Sequence, residues 1–251
     1  MSATHYAGLF FGYAIGLVAM FVIARQAPHI WPVRPAPRFE RPWREVGWAF
    51  VAAAGVLAIG MLYSRGWLLP ATSRGRPLLD AVNQLLIYGP FLLLLAWRRH
   101  GLETAWLPTR NIPLRIGTGL ALALLALATY AVVRFGIGAW PSLVAHVYSP
   151  RHFSYFVQVL LEDISIAILF VRVRSVLGLP WTLIVVAVLF AAAHIPGLLA
   201  SGAVATDLLH LFGDVALGIL GLALLQRLQD VWWFWGVHFA LDMTQFYGAV
   251  A

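Results

Sequence analysis

Long apolar runs separated by short polar stretches set the pattern of this chain. A helix that crosses the hydrocarbon core of a bilayer needs about 20 mostly apolar residues. The stretches that meet this need are Ala7–Ala24, Gly47–Tyr63, Leu79–Trp97, Gly117–Ile137, Ser154–Val173, Leu179–Ile195, Asp207–Gln226 and Val231–Ala249. In lipid every backbone polar group has to be satisfied within its own segment, so helix is the reading that fits such runs. The pattern predicts an all-α, polytopic integral membrane protein of about eight transmembrane helices, forming a single transmembrane domain over residues 1–251. No fixed-period repeat, low-complexity tail or soluble domain interrupts it. The longest polar connection, Arg25 to Val46, carries Pro28, Pro32, Pro35, Pro37 and Pro42 and is expected to lie extended on the membrane surface.

Composition agrees with that pattern. Hydrophobic residues make up 61% of the chain and charged residues 11%. A soluble domain of this size carries roughly a quarter charged residues, so most of the surface is expected to face lipid. Cysteine is absent, which excludes disulfides, thiolate metal sites and cysteine nucleophiles. The formal charge of +7 comes from arginine alone. Because the arginines punctuate apolar runs, they read as topology determinants and lipid head-group contacts, not as a nucleic-acid surface. Arg25, Arg34, Arg38, Arg41, Arg44, Arg98, Arg99, Arg110, Arg115, Arg172, Arg174 and Arg227 fall in alternate connections, and only Arg65, Arg74, Arg76 and Arg151 in the others. The bias predicts both termini on the outer side. The first apolar run has no basic stretch before it and is followed by further spans, so it reads as a span, not as a cleaved leader.

Ionisable groups within spans are the informative residues. A charge near the bilayer centre costs roughly 2.5–3.5 kcal/mol on insertion scales, so such a group usually faces a cavity and has a role there. The first four spans are almost free of them, apart from Arg134, which is placed to snorkel to the interface. The last four hold Glu162 and Asp163, His194, then Asp207, His210 and Asp214, then His238 and Asp242. A site is therefore expected among the C-terminal four helices.

Three of these segments carry a pattern in order: Leu161-Glu162-Asp163-Ile164-Ser165-Ile166-Ala167, Phe190-Ala191-Ala192-Ala193-His194, and His238-Phe239-Ala240-Leu241-Asp242. The set resembles the CPBP family of intramembrane proteases, which includes the CAAX prenyl endopeptidases. That family is marked by Glu-Glu-x-x-x-Arg, Phe-x-x-x-His and His-x-x-x-Asn or Asp, each on a membrane helix. The resemblance covers about residues 154 to 245. It implies a catalytic core over 154–250 and leaves residues 1–150 without a specific motif. Two departures stand out: Asp163 replaces the second Glu, and Ala167 replaces the Arg. His210, or a proton shared by Glu162 and Asp163, is expected to compensate. The aromatic run Trp232, Trp233 and Trp235 reads as an interfacial belt.

Peptide hydrolysis needs an activated water, a stabilised oxyanion and a proton for the leaving amine. The resemblance implies Glu162 as general base, with His194 orienting the water beside the helix break that Pro196 and Gly197 impose. His238 would face the oxyanion, with Asp242 either keeping it protonated or itself carrying a proton. Asp163, His210 and Asp214 would support the site, although Asp207, His210 and Asp214 also read as helix packing. The family implies a metal-free mechanism, so no cofactor is expected; the alternative is a zinc ion held by Glu162, His194 and His238 with an open fourth position. The expected substrate is a membrane-anchored or lipidated protein or peptide, in the cell membrane of a bacterium. Two other readings use the same residues: a non-proteolytic scaffold or immunity protein of the same fold, and a proton-coupled transporter with these groups as its relay. The latter lacks paired broken helices in its two halves.

Overall fold

The computed structural model describes residues 3–69, 76–200, 209 and 211–248. Among them the chain is helical, without strands. The α-helices are α1 (Ala3–Gln26), α2 (Pro42–Ser64), α3 (Pro77–Arg98), α4 (Ile112–Arg134), α5 (Trp140–Val147), α6 (Phe153–Arg174), α7 (Leu179–Ala193), α8 (Ile195–Ala200), α9 (Leu211–Leu228) and α10 (Val231–Asp242). Proline opens α2, α3, α4, α5 and α7 in the first turn, where its missing N–H costs nothing.

Among the described residues, five helices are long and apolar enough to cross a membrane: α1 from Thr4, α2, α3, α4 and α9. The other three expected spans differ in character. Helix α6 has 22 residues, carries Glu162 and Asp163, and is buried along nearly all of its second half. Helix α7 has 15 residues and α10 only 12. The run expected to continue to Ala249 leaves α-helix at Asp242 and becomes a 3-10 turn over Met243–Phe246. There the Thr244 hydroxyl donates to the Leu241 carbonyl at 2.6 Å, a local bond that competes with the helical ladder. The connection between α4 and α6 contains the short α5, which the apolar pattern did not single out.

Neighbouring helices follow one another around a ring, α6, α7, α9, α1, α4 and α10, with α10 closing back on α6. Helix α3 packs on the outside of α6, and α2 covers both. The α1–α2, α3–α4 and α9–α10 connections gather at one end of this bundle. Gln229 donates to the carbonyls of Arg34 and Pro35, at 3.0 and 3.2 Å. Val231 N–H donates to Trp106 O at 2.9 Å, and Arg98 pairs with Glu45 at 2.7 Å. The arginine-rich connections thus share one face, and the Arg25–Val46 stretch is strapped across the end of the bundle.

Close helix contacts depend on small residues, as is usual where lipid provides no hydrophobic drive. The tightest is the α4–α10 crossing. A Cβ on Gly119 would lie 2.4 Å from Trp233 O, and one on Gly236 2.9 Å from Gly119 C. Gly117, on the same helix, has open space around it. Gly119→Ala is therefore expected to lose about 1–3 kcal/mol or more, as overpacking typically costs, whereas Gly117→Ala changes little. Unfolding in mixed detergent micelles measures both, and equal stability of the two variants would contradict the crossing.

Two sequence expectations need correction here. Trp232, Trp233 and Trp235 do not form an interfacial belt. Trp233 is fully buried, Trp232 Nε1 donates to Pro108 O at 2.9 Å, and Trp235 Nε1 to Phe156 O at 2.8 Å. Helix α10 is enclosed by α4 and α6, so its indoles pack inward. Arg134 does not simply snorkel: it donates to Tyr130 OH and to His5 Nδ1, and lies over the Phe135 ring.

Candidate functional site

A cavity of about 330 Å³ lies inside the helix ring, toward the end opposite the arginine-rich connections. Its walls come from the start of α1, the first half of α6, the end of α7, the start of α9 and the end of α10. Glu162, Asp163, His194, Asp214, His238 and Asp242 all line it. His210 and Asp207 lie outside the described residues.

Helix geometry explains how α6 and α10 meet there. Glu162 sits nine residues into α6, or about 14 Å along its axis at 1.5 Å per residue, well away from either helix end. Its neighbour Asp163 points at α10. Phe156 and Trp235 fix the register of these two helices with ring centroids 4.0 Å apart. Within that register His238 Nδ1 donates to Asp163 Oδ1 at 2.8 Å. Asp163 is 1% exposed on its side chain and His238 13%, so the pair is shielded from solvent. A charge-assisted hydrogen bond in such surroundings fixes both the tautomer and the orientation of the ring.

His194 is exposed, and its ring is tethered through the same nitrogen. It caps α7 just before α8, at the break that Pro196 was expected to impose. Its Nδ1 donates to Phe190 O at 2.9 Å, and the Phe190 ring stands edge-on to it at 4.9 Å. Both imidazoles are therefore tethered through Nδ1, one to a carboxylate and one to a carbonyl, and each keeps Nε2 for a reacting group.

Glu162 lines the same cavity as both histidines. It also accepts a long hydrogen bond, 3.4 Å, from Tyr88 OH on α3. Asp242 lies one turn beyond His238, but its bond is to Gln245 Nε2 at 3.1 Å. The expected pairing of His238 with Asp242 is thus taken by Asp163. The exchange has a simple cause: an i, i+4 pair on one helix shares a face, but Asp163 is carried straight at the ring by the α6–α10 packing. Ala167, where the family pattern has Arg, is fully buried against apolar neighbours.

Sequence reasoning missed two tyrosines. Tyr88 reaches Glu162 from α3, and Tyr13 of α1 lines the cavity 6.4 Å from the His238 ring. Both stand in apolar runs without a motif, and a tyrosine in a span carries no sign of which way it points.

Among the described residues no three His, Asp or Glu side chains converge as a metal-ligand set. Glu162, His194 and His238 share a cavity but stand on separate walls, each held by a different partner. The chain matches no protein-family model, no curated protein and no solved structure.

Proposed function

We propose that this chain is an intramembrane endopeptidase of the CPBP type, hydrolysing a peptide bond of a membrane-anchored or lipidated protein or peptide. One observation carries the reading: a carboxylate and two imidazoles, each imidazole tethered through Nδ1, line a single cavity within an apolar helix ring. In this mechanism Glu162 takes a proton from a water molecule. His194 Nε2 positions that water. His238, backed by Asp163, donates to the developing oxyanion, and the proton on Glu162 then passes to the leaving amine. The chemistry balances without a cofactor. Asp242 shapes the far wall with Gln245, and Asp214 supports it from α9.

The chain in this reading crosses a bacterial cell membrane eight times, with α6, α7 and α10 completing the count. The arginine-rich connections lie on the inner side and both termini on the outer. The cavity then opens toward the outer leaflet, and its substrates are exported or outward-facing segments.

Protein reconstituted in vesicles and given a library of lipid-anchored peptides tests this directly. Wild type is expected to release soluble fragments. His194→Ala is expected to slow release by roughly 100-fold or more, and a strong chelator to have no effect. Loss of activity on chelation with rescue by zinc would move the mechanism to a metal. A wild type that cleaves nothing in the library would leave the scaffold reading, which the buried Ala167 favours, in its place.

A further inference from the structure

A second and larger cavity, about 760 Å³, lies at the opposite end of the bundle from the candidate active site. Its walls carry Arg34, Arg38, Arg41, Arg44, Arg98 and Arg99. Glu40, Glu45 and Glu103 also line it, leaving an excess of three positive charges. Glu45 is already engaged, paired with Arg98 at 2.7 Å and facing Arg172 and His100 at 3.7 Å. Arg34, Arg38, Arg41, Arg44 and Arg99 make no ion pair with any of these carboxylates. Such a concentration of uncompensated guanidinium groups in a concave space raises the local concentration of anions.

The cavity is also pre-built. Its floor segment is proline-rich, with Pro35 and Pro37 between the arginines, and such chain is stiff. It is tied down by the bonds from Gln229 to Arg34 O and Pro35 O, by Arg115 to Ile30 O, and by Trp31 Nε1 to Asp230 Oδ2 at 2.9 Å. Helix α2 begins at this space with no side chain capping it, so the positive end of its dipole adds to the field. Arg99 is held in a left-handed conformation, φ 50°, which turns the chain after α3 toward the cavity; for a non-glycine residue that is uncommon. His100 accepts from Arg172 at Nδ1, 3.2 Å, which leaves its proton on Nε2 as a further donor. Guanidinium forks match the paired oxygens of a phosphate.

We propose that this cavity binds a phosphate-bearing anion, held by Arg34, Arg38, Arg41, Arg44 and Arg99 at the membrane surface. The volume lies in the range of small-ligand sites and takes a phosphate together with the glycerol or sugar attached to it. Trp43 and Trp97, on α2 and α3, are 71% and 57% exposed. Indoles in such positions settle at head-group depth, so a lipid-borne phosphate meets the rim with its acyl chains alongside them. The site is separate from the proteolytic cavity and stands whatever that cavity does.

The experiment uses the whole protein in phosphatidylcholine vesicles with and without about one-fifth phosphatidylglycerol. Retained lipid is counted by native mass spectrometry, and binding of inorganic phosphate and glycerol phosphate is measured in the phosphatidylcholine vesicles alone. Wild type is expected to enrich phosphatidylglycerol over phosphatidylcholine, and Arg38→Gln/Arg41→Gln to weaken that by roughly tenfold or more, as each arginine near a charged surface contributes strongly. Arg65→Gln/Arg151→Gln, at the other end of the bundle, is expected to behave as wild type. Enrichment undisturbed by soluble phosphates assigns a lipid source. Tight binding of glycerol phosphate, lost in Arg38→Gln/Arg41→Gln, assigns a soluble one. The proposal is overturned if neither anion binds, or if the double variant retains lipid as wild type does while its helicity is unchanged.

Discussion

Glu162→Gln is expected to lower the rate of peptide release by roughly 10²–10⁴-fold, the span of a lost general base, with little effect on substrate affinity. The substitution is nearly isosteric. The Gln carbonyl can still accept from Tyr88, which now sits 3.4 Å from Glu162 Oε1, so the cavity keeps its shape. Only the capacity to take a proton is lost. A fall in kcat at constant KM is the signature of an interaction made in the transition state alone. Asp163→Asn should hurt less: an amide oxygen still accepts from His238 Nδ1, now 2.8 Å from Asp163, but the charge that favours imidazolium is gone. Tyr88→Phe should be milder again, since it removes a long bond and no charge. If Glu162→Gln hydrolyses within tenfold of wild type, water activation by this carboxylate is refuted.

The helical architecture could be read from the apolar runs because lipid permits only satisfied backbones. The polar lining of the cavity drew notice for a related reason: Glu162, Asp163, His194, His238 and Asp242 are costly inside apolar helices. The pairing within the site was not legible. Spacing along one helix suggested His238 with Asp242, but partners across helices depend on rotation and depth, which Phe156 and Trp235 fix by a tilted ring contact at 4.0 Å. Tyr88 and Tyr13 were hidden for the same reason, since hydropathy treats a tyrosine alike whether it faces lipid or a carboxylate. The length of α10 was misjudged because apolarity alone cannot reveal that Thr244 turns the chain after 12 residues. Trp232, Trp233 and Trp235 misled by composition: indoles favour the interface only on a helix with a lipid face, which α10 lacks.

The second large effect is expected at Arg115 and Asp230, where α4, α10 and the Arg25–Val46 strap are joined. The two side chains are 3% and 0% exposed and form a direct ion pair. Asp230 also accepts from Trp31 Nε1 at 2.9 Å and, as the cap of α10, from Trp232 N–H at 3.0 Å. Arg115 in turn donates to Arg110 O and Ile30 O. Burial raises the Asp230 carboxyl above its ordinary value, while Arg115 and the two indole-residue donors pull it back. Removing one partner leaves the other charge buried and alone, so Asp230→Ala is expected to cost about 3–5 kcal/mol. It also uncaps α10 and frees the strap at Trp31. Asp230→Asn keeps an acceptor for Trp31 and Trp232, and its loss should be smaller. The double variant Arg115→Met/Asp230→Leu removes both charges and should recover much of the deficit, because a buried ion pair replaced by apolar volume is often neutral. Unfolding of wild type, Arg115→Met, Asp230→Leu and the double variant in the same detergent gives the coupling energy directly. A double variant no better than Asp230→Ala would mean that the cap and the strap, and not the stranded guanidinium, account for the damage.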